Sequence, residues 1–147
     1  MKSIKELYRI GTGPSSSHTM GPFKAVRNYV EHHPEATAIK VALYGSLSAT
    51  GKGHLTDRAA KDAFDGEVEI EWMKDSLPVH PNGMEVSVID ADGNSQDKWT
   101  YYSVGGGDII CIENPIESED GGEVYKMNTM DDILHWCNEN GKSFWEF

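Results

Sequence analysis

One short apolar segment constrains the fold most, because it offers apolar side chains to both faces of a strand. Ile39, Val41 and Leu43 would line one face, while Ala42 and Tyr44 would lie on the other. A strand of this kind is typical of a central position in a sheet that is covered on both sides. The chain must therefore build a sheet around this segment and supply other elements to cover it.

The remaining elements follow from the spacing of apolar residues, about 3.6 for helices and about 2 for strands. Helices are predicted at residues 4–8, 21–33, 46–50, 55–63 and 129–140. Strands are predicted at residues 39–44, 68–72, 84–90, 98–104 and 109–113, with a short one near 124–127 and a hairpin turn at 92–94. This order predicts one α+β domain over residues 1–147, with a mixed or antiparallel sheet covered by helices.

Particular side chains mark where helices begin. Phe23 starts the apolar face of the second predicted helix, and Leu55 starts that of the fourth, four residues before Ala59. In the last helix, Thr129 can cap the first turn together with Asp132, three residues further on.

Composition excludes several classes of partner. The chain has 13 Lys and Arg against 24 Asp and Glu, and its formal charge of −11 repels nucleic acid and anionic lipid. No run approaches the roughly 18 apolar residues of a membrane span, and residues 1–6 contain no apolar signal core. We therefore expect a cytoplasmic protein that binds neither nucleic acid nor membrane. Cys111 and Cys137 are then interpreted as buried thiols in a reducing compartment.

Residues 11–19 form the first of four loops that are rich in small and polar residues. Ser15, Ser16, Ser17 and His18 precede a helix, where hydroxyls, an imidazole and free backbone amides suit a carboxylate or phosphate ligand. A flexible turn with a helix cap would use the same residue types. The loop by itself leaves both interpretations open.

The second loop follows the central strand and contains a lysine between two glycines. A phosphate-binding P-loop is excluded, because Gly53 follows Lys52 and because the gap from Gly45 to Gly51 is too long. We expect the glycines on both sides of Lys52 to let the backbone project His54 at a helix start. The helix dipole there favours a neutral imidazole, which is available as a base. A surface histidine near a helix start is the alternative.

Two further loops combine a constrained backbone with polar groups. His80 lies in a loop with prolines on both sides, which favours a fixed ring orientation, although such turns are also common connectors. Gly105, Gly106 and Gly107 interrupt a strand-like run, which indicates a bulge or a close approach of the backbone to a ligand. Both loops are therefore candidates for a binding site.

No metal site is predicted. His18, His54 and His80 lack the short ligand spacing of a zinc site, and neither cysteine is near them in sequence. A serine hydrolase is not indicated either, because no Gly-x-Ser-x-Gly motif occurs.

Four motifs, in the same order along the chain, resemble the β domain of the iron–sulfur-dependent L-serine dehydratases. They are Gly13-Pro14-Ser15-Ser16-Ser17-His18-Thr19-Met20-Gly21-Pro22, then Tyr44-Gly45-Ser46-Leu47 with Gly51-Lys52-Gly53-His54-Leu55-Thr56-Asp57, then His80-Pro81-Asn82, and last Ser103-Val104-Gly105-Gly106-Gly107. The resemblance covers essentially the whole chain. That β domain also resembles the regulatory, allosteric substrate-binding domain of some phosphoglycerate dehydrogenases.

The resemblance implies an L-serine ammonia-lyase, which converts L-serine to pyruvate and ammonia. It implies a [4Fe–4S] cluster that acts as a Lewis acid and is held by a separate α domain or subunit, without pyridoxal phosphate. Two cysteines are too few for the three or four thiolates of a cluster, so we expect this chain not to bind it. The chain would then be inactive without its α partner. We also expect a homodimer.

The resemblance assigns roles to matching residues. His54 is expected to be the catalytic base, with His18 in substrate binding or proton transfer. The implied substrate-binding residues are Ser15, Ser16, Ser17, Thr19, Lys52, His80, Asn82, Gly105, Gly106 and Gly107. Two alternatives remain: a regulatory module that binds serine or an anion without catalysis, and a dimerisation domain whose four loops face solvent.

Overall fold

The computed structural model describes residues 8–116 and 125–147, which fall into two compact units. The larger unit runs from Arg9 to Glu117, and the smaller one comprises Met1–Tyr8 with Ser118–Phe147. None of the helices within the described ranges is long and apolar enough to cross a membrane.

The larger unit is a five-stranded mixed sheet with helices. Its helices are α1 (Met20–His32), α2 (Gly45–Thr50) and α3 (Thr56–Asp62), and its strands are β1 (Ala38–Leu43), β2 (Glu67–Trp72), β3 (Gly83–Ile89), β4 (Ser95–Gly105) and β5 (Asp108–Cys111). The strand order is β2-β1-β3-β4-β5. Only β1 and β2 pair in parallel, because the chain crosses over between them through α2 and α3. The predicted α+β fold with a mixed sheet is confirmed.

The β1 strand is interior, as its apolar pattern predicts, with β2 on one side and β3 on the other. Ile39, Val41 and Leu43 are fully buried in one cluster with residues of α1, α3 and the neighbouring strands. On the opposite face Ala42 is also buried, whereas Lys40 is half-buried and pairs with glutamates of β2. Burial of the aliphatic face in this core stabilises the sheet that positions the loops described below.

Exposure alternates along β2, the edge strand beside β1. Its buried face carries Val68, Ile70 and Trp72, which pack against the core, while Glu67, Glu69 and Glu71 are exposed. The half-exposed strand predicted at residues 68–72 is therefore confirmed.

The predicted hairpin joins β3 to β4. One carboxylate oxygen of Asp90 accepts hydrogen bonds from the backbone amides of Asp92 at 3.0 Å and Asn94 at 2.8 Å. Gly93, with φ of 81°, supplies the left-handed conformation that the turn requires.

The glycine run forms a second tight hairpin, between β4 and β5. Gly105 pairs with Asp108 across the turn, and Gly106 and Gly107 have φ of 61° and 81°. Two positive φ angles at the centre of a two-residue loop define a turn that suits the twist of a hairpin. The pairing register also shifts between Ser103 and Gly105, so the predicted bulge is confirmed.

The smaller unit contains α4 (Met130–Asn140) and a short 3-10 helix (Phe144–Glu146). The predicted cap at Thr129 is confirmed, because its side chain and that of Asp132 exchange hydrogen bonds with each other's backbone amides. The strand predicted near 124–127 is wrong for residues 125–127, which form no strand, and residue 124 lies outside the described ranges. Of the helix predicted at 4–8 only Tyr8 is described, and it is not helical.

Candidate functional site

Two histidines from separate loops meet beside α2. The ring centres of His18 and His54 are 4.8 Å apart, with an angle of 36° between the ring planes. His18 precedes α1, and His54 lies in the turn between α2 and α3. The two residues predicted to be catalytic are therefore brought together, although 36 positions separate them in the sequence.

The two ring nitrogens of His18 have different partners. Nε2 lies 3.0 Å from Thr50 Oγ1, 3.2 Å from Ser46 Oγ and 3.3 Å from the Ser46 carbonyl oxygen. Nδ1 lies 3.0 Å from Ser17 Oγ and 3.4 Å from Ser15 Oγ. Because a carbonyl can only accept, this arrangement assigns the hydrogen to Nε2 and leaves Nδ1 to accept from a serine hydroxyl.

The surroundings of His18 favour its neutral form. Its side chain is 8% exposed, and burial is the main cause that lowers the pKa of His18 below its ordinary value of 6.5. A hydrogen bond to the Ser46 carbonyl opposes this shift, and the neighbouring His54 adds to it. A neutral His18 next to His54 means that the pair does not begin with two like charges in contact.

His54 keeps one nitrogen available. Its Nδ1 donates to the Thr50 carbonyl oxygen at 3.0 Å, which leaves the lone pair on Nε2. The ring is half-buried, and the backbone amide of His54 also donates to carbonyls at the end of α2. A neutral imidazole with one fixed nitrogen and one free lone pair is suited to accept a proton.

The backbone that presents His54 differs from the predicted one. Neither Gly51 nor Gly53 has a positive φ, whereas Leu55 has φ of 61°. Gly51 is instead required for space, since a Cβ there would lie 2.0 Å from the Leu47 carbonyl oxygen. The expectation that these glycines supply the unusual conformation is wrong, because the left-handed residue is Leu55, directly after His54.

The serine loop is an ordered turn before α1. The Ser15 carbonyl accepts the backbone amides of His18 and Thr19, and the Ser16 carbonyl accepts that of Gly21. Thr19 stands at the N-cap position, but its hydroxyl donates to the Ser15 and Thr12 carbonyls rather than capping the helix. The hydroxyls of Ser15 and Ser17 are thereby held next to the imidazole of His18.

The third loop joins the start of α2 to the end of β4. The Pro81 carbonyl accepts the Ser46 amide at 2.8 Å, and a Cβ on Gly45 would lie 2.3 Å from that same oxygen. The Asn82 amide group donates to the Ser103 carbonyl at 3.3 Å, and the Asn82 carbonyl accepts the Ser103 backbone amide at 2.9 Å. The ring of His80 is fixed by Asn82, whose backbone amide donates to Nδ1 at 3.1 Å.

The glycine turn packs against the start of α1. A Cβ on Gly107 would lie 3.1 Å from Met20, and a Cβ on Gly21 would lie 2.1 Å from Ser103 Oγ. Through Ser103 the fourth loop is therefore connected to Asn82 in the third. All four predicted loops consequently converge at one end of the sheet.

Lys52 is placed differently from the other predicted site residues. Its ammonium lies 5.4 Å from the centre of the Trp72 ring, at the end of β2. This distance is typical of a cation–π contact. The structure thus brings Lys52 to the sheet edge rather than into the hydrogen-bond network of the histidine pair.

A cavity of about 490 Å³ opens between residues 10–12, the start of α1 and α3. Its lining includes Thr19 and Leu55, which directly follow His18 and His54, but neither histidine. Its apolar rim consists of Ile10, Phe23 and Leu55, and all three side chains are exposed. Lys24, also in the lining, is half-buried and has no carboxylate partner within the described residues. Apolar periodicity identified Phe23 and Leu55 but not their exposure, and nothing in the sequence pattern indicated Lys24.

The described residues do not fit an iron–sulfur cluster. Within residues 8–116 and 125–147, no group of three or more His, Cys, Asp or Glu side chains could hold a metal ion. Cys111 and Cys137 are both buried, and they lie in the two different units. A cluster needs several thiolates that converge on it, which these two cysteines do not provide.

Comparison with known proteins identifies relatives. A family model for the serine dehydratase beta chain matches residues 3–68 and 60–114. L-serine dehydratase 1 of Escherichia coli (strain K12) is 32% identical, over 97% of this chain and 41% of the relative. The L-serine dehydratase of Streptomyces coelicolor is 31% identical, over 96% of this chain and 41% of the relative. That of Mycobacterium bovis is 34% identical, over 74% and 32%.

The chain spans less than half the length of these relatives. The two matched segments of the family model nevertheless cover most of the chain, including every residue of the four loops. The chain therefore belongs to the serine dehydratase beta chain family.

Proposed function

We propose that this chain is the β part of an L-serine ammonia-lyase, which removes water and ammonia from L-serine to give pyruvate. It supplies the base and substrate contacts, and an α domain or subunit supplies the remaining half of the active site. Membership of the serine dehydratase beta chain family supports this assignment. The observation that carries it is the imidazole pair, in which the Thr50 carbonyl holds His54 Nδ1 and leaves Nε2 as the nitrogen that can act as a base beside His18.

In this mechanism, Nε2 of His54 removes the proton from the α carbon of L-serine. Loss of the hydroxyl group as water then gives 2-aminoacrylate, which tautomerises to an imine that hydrolyses to pyruvate and ammonia. A neutral imidazole near pH 7 suits the first step, and a positioned general base contributes about 10²- to 10⁴-fold to a rate. The buried, neutral His18 supports this role, because a cation at His18 would oppose protonation of His54.

The serine loop and the neighbouring loops would hold the substrate. Hydroxyls beside His18 can hydrogen-bond to the carboxylate or ammonium of an amino acid, and the third and fourth loops add an amide and a backbone turn. The proposed substrate contacts are Ser15, Ser16, Ser17, Thr19, Lys52, His80, Asn82, Gly105, Gly106 and Gly107. Lys52 must leave its position over Trp72 to reach the substrate.

We assign the [4Fe–4S] cluster to the α partner, because the described cysteines do not fit it. The proposed reaction needs no pyridoxal phosphate from this chain. The complete enzyme is proposed to be cytoplasmic, with this chain inactive alone and present as a homodimer.

Exposed apolar side chains next to the histidine pair support a partner that closes the site. Ile10, Phe23 and Leu55 surround the cavity, and none of them is buried. The left-handed backbone of Leu55 costs roughly 1 kcal/mol or more. Burial of its side chain does not offset this cost, because Leu55 is exposed. Contact with the α partner would cover these side chains and exclude water from His54.

The proposal is tested by serine-dependent pyruvate formation under anaerobic conditions, with iron and reductant. The chain is assayed alone and joined to a candidate α domain that bears the cluster cysteines. We expect turnover only in the joined form. His54→Ala in the joined form should lower turnover by about 10²- to 10⁴-fold while the cluster absorbance is kept.

A matched control is His135→Ala, which removes an exposed histidine of α4 and should keep wild-type turnover. Wild-type turnover in His54→Ala would exclude His54 as the base.

A regulatory module that binds serine or an anion is the second candidate, favoured by the cavity of about 490 Å³ and by Lys24, which has no carboxylate partner among the described residues. It predicts binding of L-serine by the chain alone, measured by calorimetry. It also predicts no turnover in the joined form despite an intact cluster.

A further inference from the structure

Thr50 stands between the two histidines and contacts both of them. We infer that Thr50 is a positioning residue, which fixes the hydrogen of each imidazole on one nitrogen so that His54 presents a lone pair. The inference rests on the proposed function for its catalytic meaning. The arrangement of hydrogens itself is a property of this chain alone.

The hydroxyl of Thr50 is the nearest acceptor for His18 Nε2 and supports the assignment made from the Ser46 carbonyl. Thr50 Oγ1 lies 2.9 Å from the Ser46 carbonyl oxygen, which can only accept, so the hydroxyl donates its hydrogen there. The same oxygen lies 3.0 Å from His18 Nε2 and is left to accept from it. His18 thus carries its hydrogen on Nε2, which faces Ser46 and Thr50 of α2, while Nδ1 faces the serine loop.

The carbonyl of Thr50 determines the state of His54. It lies 3.0 Å from His54 Nδ1 and also accepts the His54 backbone amide at 3.2 Å. A carbonyl cannot donate, so Nδ1 must carry the hydrogen and Nε2 must carry the lone pair. If the hydrogen stood on Nε2 instead, a neutral His54 would present a donor where the reaction needs a base.

A single residue therefore contacts both imidazoles, and it shares the contact with His18 Nε2 with Ser46. The two contacts use different atoms of Thr50, and a side-chain substitution removes only the hydroxyl. Thr50→Val keeps the shape and the carbonyl but removes the nearest acceptor for His18 Nε2, and leaves the Ser46 hydroxyl at 3.2 Å and the Ser46 carbonyl oxygen at 3.3 Å. Thr50→Ser keeps the hydroxyl, so it should preserve the arrangement.

The experiment records long-range proton–nitrogen NMR spectra of the chain labelled with ¹⁵N in its histidines. In the wild type we expect His18 with hydrogen on Nε2 and His54 with hydrogen on Nδ1. Thr50→Val should give averaged nitrogen shifts for His18, which report exchange between the two neutral forms. Thr50→Ser and a control on the same helix, Ser48→Ala, should keep the wild-type spectrum.

In the joined enzyme, Thr50→Val should lower kcat about tenfold and change the pH profile of kcat, with little change in KM, because positioning acts on proton transfer. Thr50→Ser should restore both. A wild-type spectrum of His18 in Thr50→Val, or a hydrogen on Nε2 of His54 in the wild type, would overturn the inference. His54→Ala with full turnover would instead overturn the proposed function, while the spectra of the chain alone still decide the role of Thr50.

Discussion

The contact between Gly21 and Ser103 allows a quantitative test of how α1 is anchored beside the site. A Cβ at Gly21 would lie 2.1 Å from Ser103 Oγ and 2.7 Å from Ser103 Cβ. Ser103 is 1% exposed, so its side chain has no free space to move into. Gly21→Ala must therefore push the first turn of α1 away from β4.

The expected loss of stability follows from two opposing effects. Alanine stabilises a helix interior by about 0.5–1 kcal/mol relative to glycine, while overpacking a core costs about 1–3 kcal/mol. Ser103 Cβ is bonded directly to the backbone of β4 and cannot rotate away from the new methyl group, so we expect overpacking to win. Gly21→Ala should lower the free energy of unfolding by about 1–2 kcal/mol, measured by urea denaturation with circular dichroism.

Substitutions of Ser103 provide the controls. Its hydroxyl is buried without a hydrogen-bond partner among the described residues, so Ser103→Ala should not lower stability. Ser103→Gly removes both atoms that the new methyl group would meet. In a double-mutant cycle, Gly21→Ala with Ser103→Gly should show a favourable coupling of about 1 kcal/mol or more. Additive effects, or wild-type stability in Gly21→Ala, would refute the packing argument.

Two further predictions concern the histidine pair and its rim. The pKa of His18 is lower in the folded protein than its ordinary value of 6.5. Its contribution to stability is therefore present above pH 6.5 and is lost as the pH falls through the lower pKa of the folded state. His18→Asn should therefore flatten the decline of the free energy of unfolding on the acidic side of 6.5, and an unchanged slope would contradict this account. Leu55→Asp should prevent co-purification with a cluster-bearing α chain, whereas Ile112→Asp, at a residue 52% exposed beyond the end of β5 opposite the glycine turn, should not. Equal recovery of both variants would contradict a partner at the rim.

Most of the fold could be predicted because its signals are local. Alternating exposure in β2, the apolar face of β1 and the Asp90–Asn94 turn all depend on neighbours within a few residues. The sequence left the sheet as mixed or antiparallel, since parallel pairing of β1 with β2 depends on how the chain returns through α3. The short strand near residues 124–127 was predicted from apolar residues alone, and residues 125–127 do not form it.

The candidate site could be predicted as a set of residues but not as a geometry. The motifs assigned His18 and His54 to the same site, but no sequence pattern indicated Thr50, the residue that contacts both of them. Its contact with His18 spans 32 positions, and its contact with His54 uses a backbone carbonyl, which every residue has. The exposure and positive φ of Leu55 could not be predicted for a different reason, because an exposed leucine has the same sequence spacing as a buried one.

The glutamates of β2 have a consequence for the sheet edge. Glu67, Glu69 and Glu71 are exposed on one face of an edge strand, where open backbone groups would otherwise invite a strand from another molecule. Two copies that met through this edge would align three carboxylates from each, and like charges opposite one another destabilise pairing. Lys40 already pairs with two of these glutamates within its own sheet, so it is not available to neutralise a second row. The β2 edge is thereby protected from the edge-to-edge stacking that leads to aggregation.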